Sequence, residues 1–167
     1  MEKGQFCFIS DQYYDDFLDE RLMRNKEAIS GITHRRPCFF VFPDKLHQGI
    51  FWLVPISSKY DKFKALYDKK VARYGKCNTI CFGEVLGTHA AFLIQNMCPV
   101  TKKYISEIYI DKTGTPIQID GRVVHNVISS AREVLARVER GANLIFPDII
   151  TIRESLRIQL EKETAFN

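Results

Sequence analysis

No stretch of this 167-residue sequence approaches the roughly 18 consecutive apolar residues that a membrane-spanning helix needs. The first ten residues hold one short apolar run and no small-residue cleavage site ahead of the acidic segment 11–20, so no secretory signal is expected. The sequence also lacks internal repeats, low-complexity tracts and linker-like stretches. Missing too are the Gly-x-Ser-x-Gly elbow, the Walker-type glycine loop and the Gly-x-Gly-x-x-Gly turn, which leaves serine hydrolase, nucleotidase and dehydrogenase readings without a starting point. The five cysteines, Cys7, Cys38, Cys77, Cys81 and Cys98, are odd in number and mostly lie inside apolar runs, where thiols behave as small hydrophobes. Cys77-x3-Cys81 is the only close pair, and neither His89 nor Cys98 completes a zinc spacing. No metal and no cofactor are expected.

What is present is a core. Hydrophobic residues make up 46% and aromatics 12%, far above a disordered chain, and the length suits one domain spanning 1–167 in the cytoplasm. Gln5 to Ser10 reads as a strand, and Ser10 as the cap of a helix from about Asp11 to Arg24, with Tyr13, Tyr14, Phe17, Leu18, Leu22 and Met23 on one face. Residues 25–35 read as a loop. Pro37 to Phe42 and Gly49 to Ile56 are near-continuous apolar runs, as expected of two neighbouring antiparallel strands in a well-covered sheet. Cys77 to Phe82, Ala90 to Gln95 and Ile108 onward supply further strands. Helical spacing marks Gly121 to Arg140 and a last helix from Asp148 to about Lys162. The order of elements predicts an α+β domain, a mostly antiparallel sheet flanked by helices.

Net charge is +4, but it is unevenly spread: residues 1–20 carry −5, residues 21–112 carry +9, and residues 113–167 balance. The excess peaks at Lys59, Lys62, Lys64, Lys69, Lys70, Arg73 and Lys76, opposed only by Asp61 and Asp68. Tyr60, Phe63, Tyr67 and Tyr74 are interleaved with them. Lysine and arginine neutralise phosphates, and exposed aromatics stack on unpaired bases. A helix burying Phe63, Leu66, Tyr67 and Val71 while presenting its basic face to RNA satisfies both patterns; Arg122, Arg132 and Arg137 offer a second basic surface.

At the ends of the two strongest strands the chemistry gathers. Thr33-His34-Arg35-Arg36 precedes one, and Ser57-Ser58-Lys59 follows the other. Antiparallel pairing brings the start of the first beside the end of the second. Cations and hydroxyls without a carboxylate suit a phosphate rather than a divalent metal. The competing readings are a helix cap for Ser57-Ser58 and a solvated turn for His34-Arg35-Arg36.

The succession Phe8-Ile-Ser-Asp-Gln-Tyr13, Arg36-Pro37, Trp52-Leu-Val-Pro-Ile-Ser-Ser58-Lys59 and Leu93-Ile-Gln-Asn-Met-Cys-Pro-Val100 resembles the type III toxin–antitoxin ribonuclease toxins of the ToxN/AbiQ family, in its CptN-like branch. The resemblance covers residues 6–110. It implies a highly twisted antiparallel sheet related to the MazF and Kid toxins, and a cytosolic, metal-independent endoribonuclease that cuts single-stranded RNA at preferred sequences. It implies as partner a repeated pseudoknot RNA antitoxin, processed by the toxin and closed with it into a cyclic ribonucleoprotein, often in phage defence. Ser58 matches the family's key serine, Ser57 the hydroxyl residue before it, Arg36 a basic residue ahead of the strand, and Tyr13 an active-site tyrosine. Lys59 stands one place from the family's lysine. Metal-free cleavage proceeds by attack of the RNA 2′-OH on the adjacent phosphorus. Arg36 and Lys59 would then offset phosphoryl charge, Ser57 and Ser58 hold the phosphate, and His34 exchange protons. Arg35, Lys62, Lys64, Lys69, Lys70, Arg73 and Lys76 would bind RNA. Alternatives are a non-catalytic RNA-binding protein, a MazF-like ribonuclease with a protein antitoxin, and an enzyme of unrelated chemistry.

Overall fold

A computed structural model describes residues 2–29 and 32–165, with the backbone alone for residues 26–29 and 32–34. Nine strands and four α-helices are described. The strands are β1 (Phe6–Ile9), β2 (Lys26–Ile29), β3 (Ile32–His34), β4 (Pro37–Pro43), β5 (Ile50–Ser57), β6 (Cys81–Val85), β7 (Thr88–Phe92), β8 (Cys98–Thr101) and β9 (Ile105–Ile108). The helices are α1 (Asp11–Asp16), α2 (Tyr60–Tyr74), α3 (Gly121–Val138) and α4 (Ile149–Ala165). Seven strands form one sheet in the order β6-β7-β5-β4-β1-β9, with β8 also on β5, and every described pairing is antiparallel. This is the α+β architecture expected. Among the described residues no helix is long and apolar enough to cross a membrane.

The near-continuous apolar runs are central strands because both faces of the sheet are covered. Phe39 and Val41 of β4, and Trp52, Val54 and Ile56 of β5, point to one face, against Val127, Ala131, Val134 and Leu135 of α3. Cys38 and Phe40 of β4 and Leu53 of β5 point to the other, against Tyr13 and Tyr14 of α1 and Ile152 and Leu156 of α4. The period-two alternation of a strand thus sorts one run into two cores. A third cluster forms where Phe63 of α2 meets Ile80, Ala91 and Leu93. Gly83 of β6 admits α3 closely: a Cβ there would lie 2.6 Å from Val123 Cγ1.

β5 pairs with β4 along its length, but its other edge is divided. Ile50 to Leu53 pair with β8, and Ile56 and Ser57 pair with β7. The connector between β7 and β8 is a buried 3₁₀ turn, Ile94–Asn96, whose backbone bonds Thr79 and Phe146 through Gln95. Four of the five cysteines are buried, as their apolar settings predicted. Burial pushes the Cys7 and Cys98 thiols up to about 12 and Cys81 up to about 11, so they stay protonated and unreactive.

Several expectations change. The first helix stops at Asp16 rather than Arg24 because Phe17 turns extended and Asp19 accepts the backbone N–H of Arg21 and of Asp148, tying the chain to the start of α4. Leu18 is therefore exposed rather than part of an apolar face. Ser10 occupies the cap position without making a cap bond. Residues 25–35, read as a loop, include the two-stranded β2–β3 pairing. β6 and β7 lie a few residues from the predicted strands because the hairpin turn falls at Leu86-Gly87, both with positive φ (52° and 74°).

The turn from β4 into β5 is held by Asp44. Its nearly buried carboxylate accepts Trp52 Nε1–H at 2.8 Å and the backbone N–H of Leu46 and His47 at 2.9 Å, with Arg153 3.5 Å away. Burial raises the pKa of this carboxyl, but those donors and the guanidinium outweigh it and the net shift is downward. A depressed folded-state value contributes stability that is complete above the unfolded value near 4 and is lost as pH falls through the folded one. Asp44→Ala is expected to cost about 3 kcal/mol at neutral pH, because it leaves the indole N–H and the Leu46 and His47 N–H groups without their acceptor and removes one of the two carboxylates beside Arg153, whose Nη1 still donates to Glu139 Oε1. Urea titrations at neutral and acid pH check this: the gap between wild type and variant should be full at neutral pH and narrow as pH falls below about 4.

Candidate functional site

The register Cys38↔Pro55 puts Arg36, two residues before Cys38, level with Ser57 at the end of β5. Ser57 in turn faces Ala91 of β7. A cleft of about 350 Å³ opens at this edge, lined by Arg35, Arg36, Ser57, Ser58, Thr88 and His89, with Pro37, Ile56, Val85, Leu86, Ala90 and Tyr109 as its apolar part. Among the described residues no carboxylate lines it.

Arg36 is held by its backbone and by its side chain. Its N–H donates to Asn25 Oδ1 at 3.0 Å, and Asn25 Nδ2 donates to Ile9 O and Asp11 Oδ1. Its Nη1 donates to Ile56 O at 3.1 Å, which lays the guanidinium across the end of β5. Ser57 is only 8% exposed, and its Oγ accepts the Lys59 N–H at 3.2 Å. That bond fixes the turn into α2 and leaves the Ser57 hydroxyl proton free to donate. Ser58 is exposed on the cleft wall. Lys59 holds the cap position of α2 with no side-chain cap bond, so the helix-cap reading of the serine pair is not what the geometry gives. Lys59 is exposed but is not among the residues lining the cleft.

His89 was not expected here. Its ring lies 5.2 Å from that of Tyr60 in the first turn of α2, and Tyr60 packs on Phe82 at 5.1 Å, so the imidazole is braced from behind. The sequence offers one signal: His89 is one of four histidines and opens a strand directly after a glycine turn. Nothing local says that this strand pairs with the end of β5. The other candidate imidazole, His34, ends β3 opposite Lys26, and its side chain lies outside the described residues.

Tyr13 is corrected. It is fully buried among Tyr14, Phe17 and Tyr104, and its hydroxyl donates to Pro99 O at 2.8 Å, away from the cleft. The expected RNA-binding set divides. Lys62, Lys69, Arg73 and Lys76 are exposed, Arg73 over the Tyr74 ring and Lys76 paired with Glu133. Lys64 pairs with Asp68 at 2.5 Å. Arg35 lines the cleft while paired with Glu107 of β9 and stacked 4.9 Å over Phe8. Lys70 turns inward: its Nζ donates to Thr79 Oγ1 at 2.8 Å and Gln95 Oε1 at 2.7 Å, and burial lowers its pKa.

Comparison with known proteins finds no family model that matches this chain and no significant match among curated proteins.

Tyr13→Phe is expected to cost about 1–2 kcal/mol of stability by leaving the buried Pro99 carbonyl without its donor. Urea denaturation measures it, and an unchanged midpoint would refute the assignment of the hydroxyl to the core.

Proposed function

We propose that the protein is a metal-independent endoribonuclease, acting as a type III toxin of the ToxN/AbiQ kind on single-stranded RNA in the cytoplasm. The observation that carries the reading is the convergence of Arg36, Ser57, Ser58, Thr88 and His89 in one cleft at the strand ends. Support also comes from the sequence resemblance and from the exposed basic residues of α2 that run away from the cleft.

The chemistry follows from what each group can do. The 2′ oxygen of RNA attacks the adjacent phosphorus, the bond from phosphorus to the 5′ oxygen breaks, and the products are a 2′,3′-cyclic phosphate and a 5′-OH. One proton leaves the 2′ hydroxyl and one reaches the departing 5′ oxygen. His89 replaces His34 as the group we assign to proton transfer, since it lines the cleft and imidazole exchanges protons near neutrality. Arg36 offsets charge on the phosphoryl oxygens. Ser58 positions the phosphate from the wall, with the free O–H of Ser57 beneath it; a serine hydroxyl is too weak a base to take the 2′ proton. Leu86, 59% exposed on the rim in a left-handed backbone conformation, offers an apolar edge to a base. The same surface would hold the repeated pseudoknot antitoxin RNA in the inactive assembly.

The test is cleavage of single-stranded RNA, including transcripts from just upstream of the gene, in excess EDTA. Cyclic phosphate ends are expected. His89→Ala should slow cleavage by about 10²–10⁴-fold and Arg36→Ala by about 10²–10³-fold, with Ser58→Ala also impaired. Products ending in 5′-phosphate, or activity abolished by EDTA, would overturn the mechanism. Tight binding without cleavage by all variants would make the protein an RNA-binding module.

A further inference from the structure

α2 leads from the cleft to a second groove. This groove, about 570 Å³, is lined by Lys70, Tyr74, Asn78, Arg137, Asn143 and Phe146 together with apolar residues of the α3 side. Lys70 is the unusual member. It is half-buried on the groove wall, both of its hydrogen-bond acceptors are neutral oxygens, and no carboxylate is among its partners. Desolvating an ammonium without a counter-charge is costly, and the cost falls when an anion enters beside it. Arg137 adds an exposed guanidinium on the same groove. Two large aromatics are also presented to solvent there, Tyr74 at 64% and Phe146 at 45% exposure. Phe146 is fixed by its backbone N–H to Gln95 O at 2.7 Å, so the same buried turn that accepts Lys70 also seats the ring. Asn78 already donates to Glu133 Oε2 at 2.6 Å and Lys76 pairs with the same carboxylate, so Lys70, Arg137 and the Asn143 amide are the polar groups the groove offers. Cations beside exposed rings and a side-chain amide are what a nucleotide needs: a partner for phosphate, a face for stacking, and a group for the base edge.

From this we infer that the groove is a second nucleotide subsite, which binds one phosphate and one stacked base of the RNA strand whose other end occupies the cleft. The inference rests on the RNA reading of that cleft. The two sites sit at opposite ends of α2, a helix of 15 residues, hence about 20 Å apart. At about 3.4 Å per phosphate of a stacked strand, some six nucleotides separate them. Lys62, Lys69 and Arg73 are exposed along α2. Short RNA reaches one site only, and a longer strand engages both.

The experiment measures anisotropy of fluorescein-labelled single-stranded RNAs of about three, six and ten nucleotides against the Ser58→Ala protein, with and without Arg137→Ala and Phe146→Ala. Both added substitutions are at exposed positions, and unchanged thermal melting confirms the fold. The expected result is an affinity gain of about tenfold between three and ten nucleotides that vanishes in the triple variant. The same length dependence with and without the two groove substitutions would overturn the subsite. Displacement of label by free AMP with no length step would overturn it as a strand subsite in favour of a site for free nucleotide. Failure of the ribonuclease reading is separately visible: RNA would bind with the length step intact, yet wild-type protein would not cut it.

Discussion

The structure depends on the way β5 spends its two edges. One edge is taken by β4 over the whole strand, and the other is split between β8 and β7. Because β7 and β8 follow one another in the chain, the backbone must turn between them inside the protein, with every residue from 91 to 100 buried. A buried connector must satisfy its own polar groups. The 3₁₀ turn does so through Gln95 and Asn96, which bond Thr79, Phe146, Lys70 and Arg21. Those bonds reach α2, the segment before α4, and the stretch after α1.

The cleft is a consequence of that division. With β8 holding the first half of β5, β7 meets only its last residues, and the hairpin beyond projects Thr88 and His89 past the end of Ser57. On the opposite side β4 begins at the same level, bringing Arg36 with it. Arg35, Ser58, Thr88 and His89 are exposed at this corner, with Arg36 partly so, and can meet a charged ligand. The same turn shapes the groove at the other end of α2 by accepting Lys70 and seating Phe146. Two basic sites at the two ends of one helix thus share a structural origin.

Much of this was legible in sequence. The runs Pro37 to Phe42 and Gly49 to Ile56 are β4 and β5 within a residue or so, the spacing of Val127, Ala131 and Val134 is the buried stripe of α3, and the basic segment is α2, with Phe63 inward. The meeting of Arg36 with Ser57 and Ser58 followed from antiparallel pairing of adjacent strands. The acidic first helix misled because Leu18, Leu22 and Met23 continue its apolar spacing, while Asp19 finds backbone donors that end it. Tyr13 was carried to the site by resemblance, and packing puts it in the core.

The sequence by itself determined the elements and their buried faces, since periodicity is local and reports which side of each element leaves water. It also determined that a cluster of cations and hydroxyls would form at the β4–β5 edge, because a hairpin pairs neighbours in the chain. Only the tertiary structure decided that His89 joins that cluster, that Lys70 turns away from solvent to bond Gln95, and that Phe146 comes beside it. Each of these joins residues 25 or more positions apart, through a choice of strand edge and a buried turn, and such a choice is made by the packing of the whole sheet rather than by any segment of the chain.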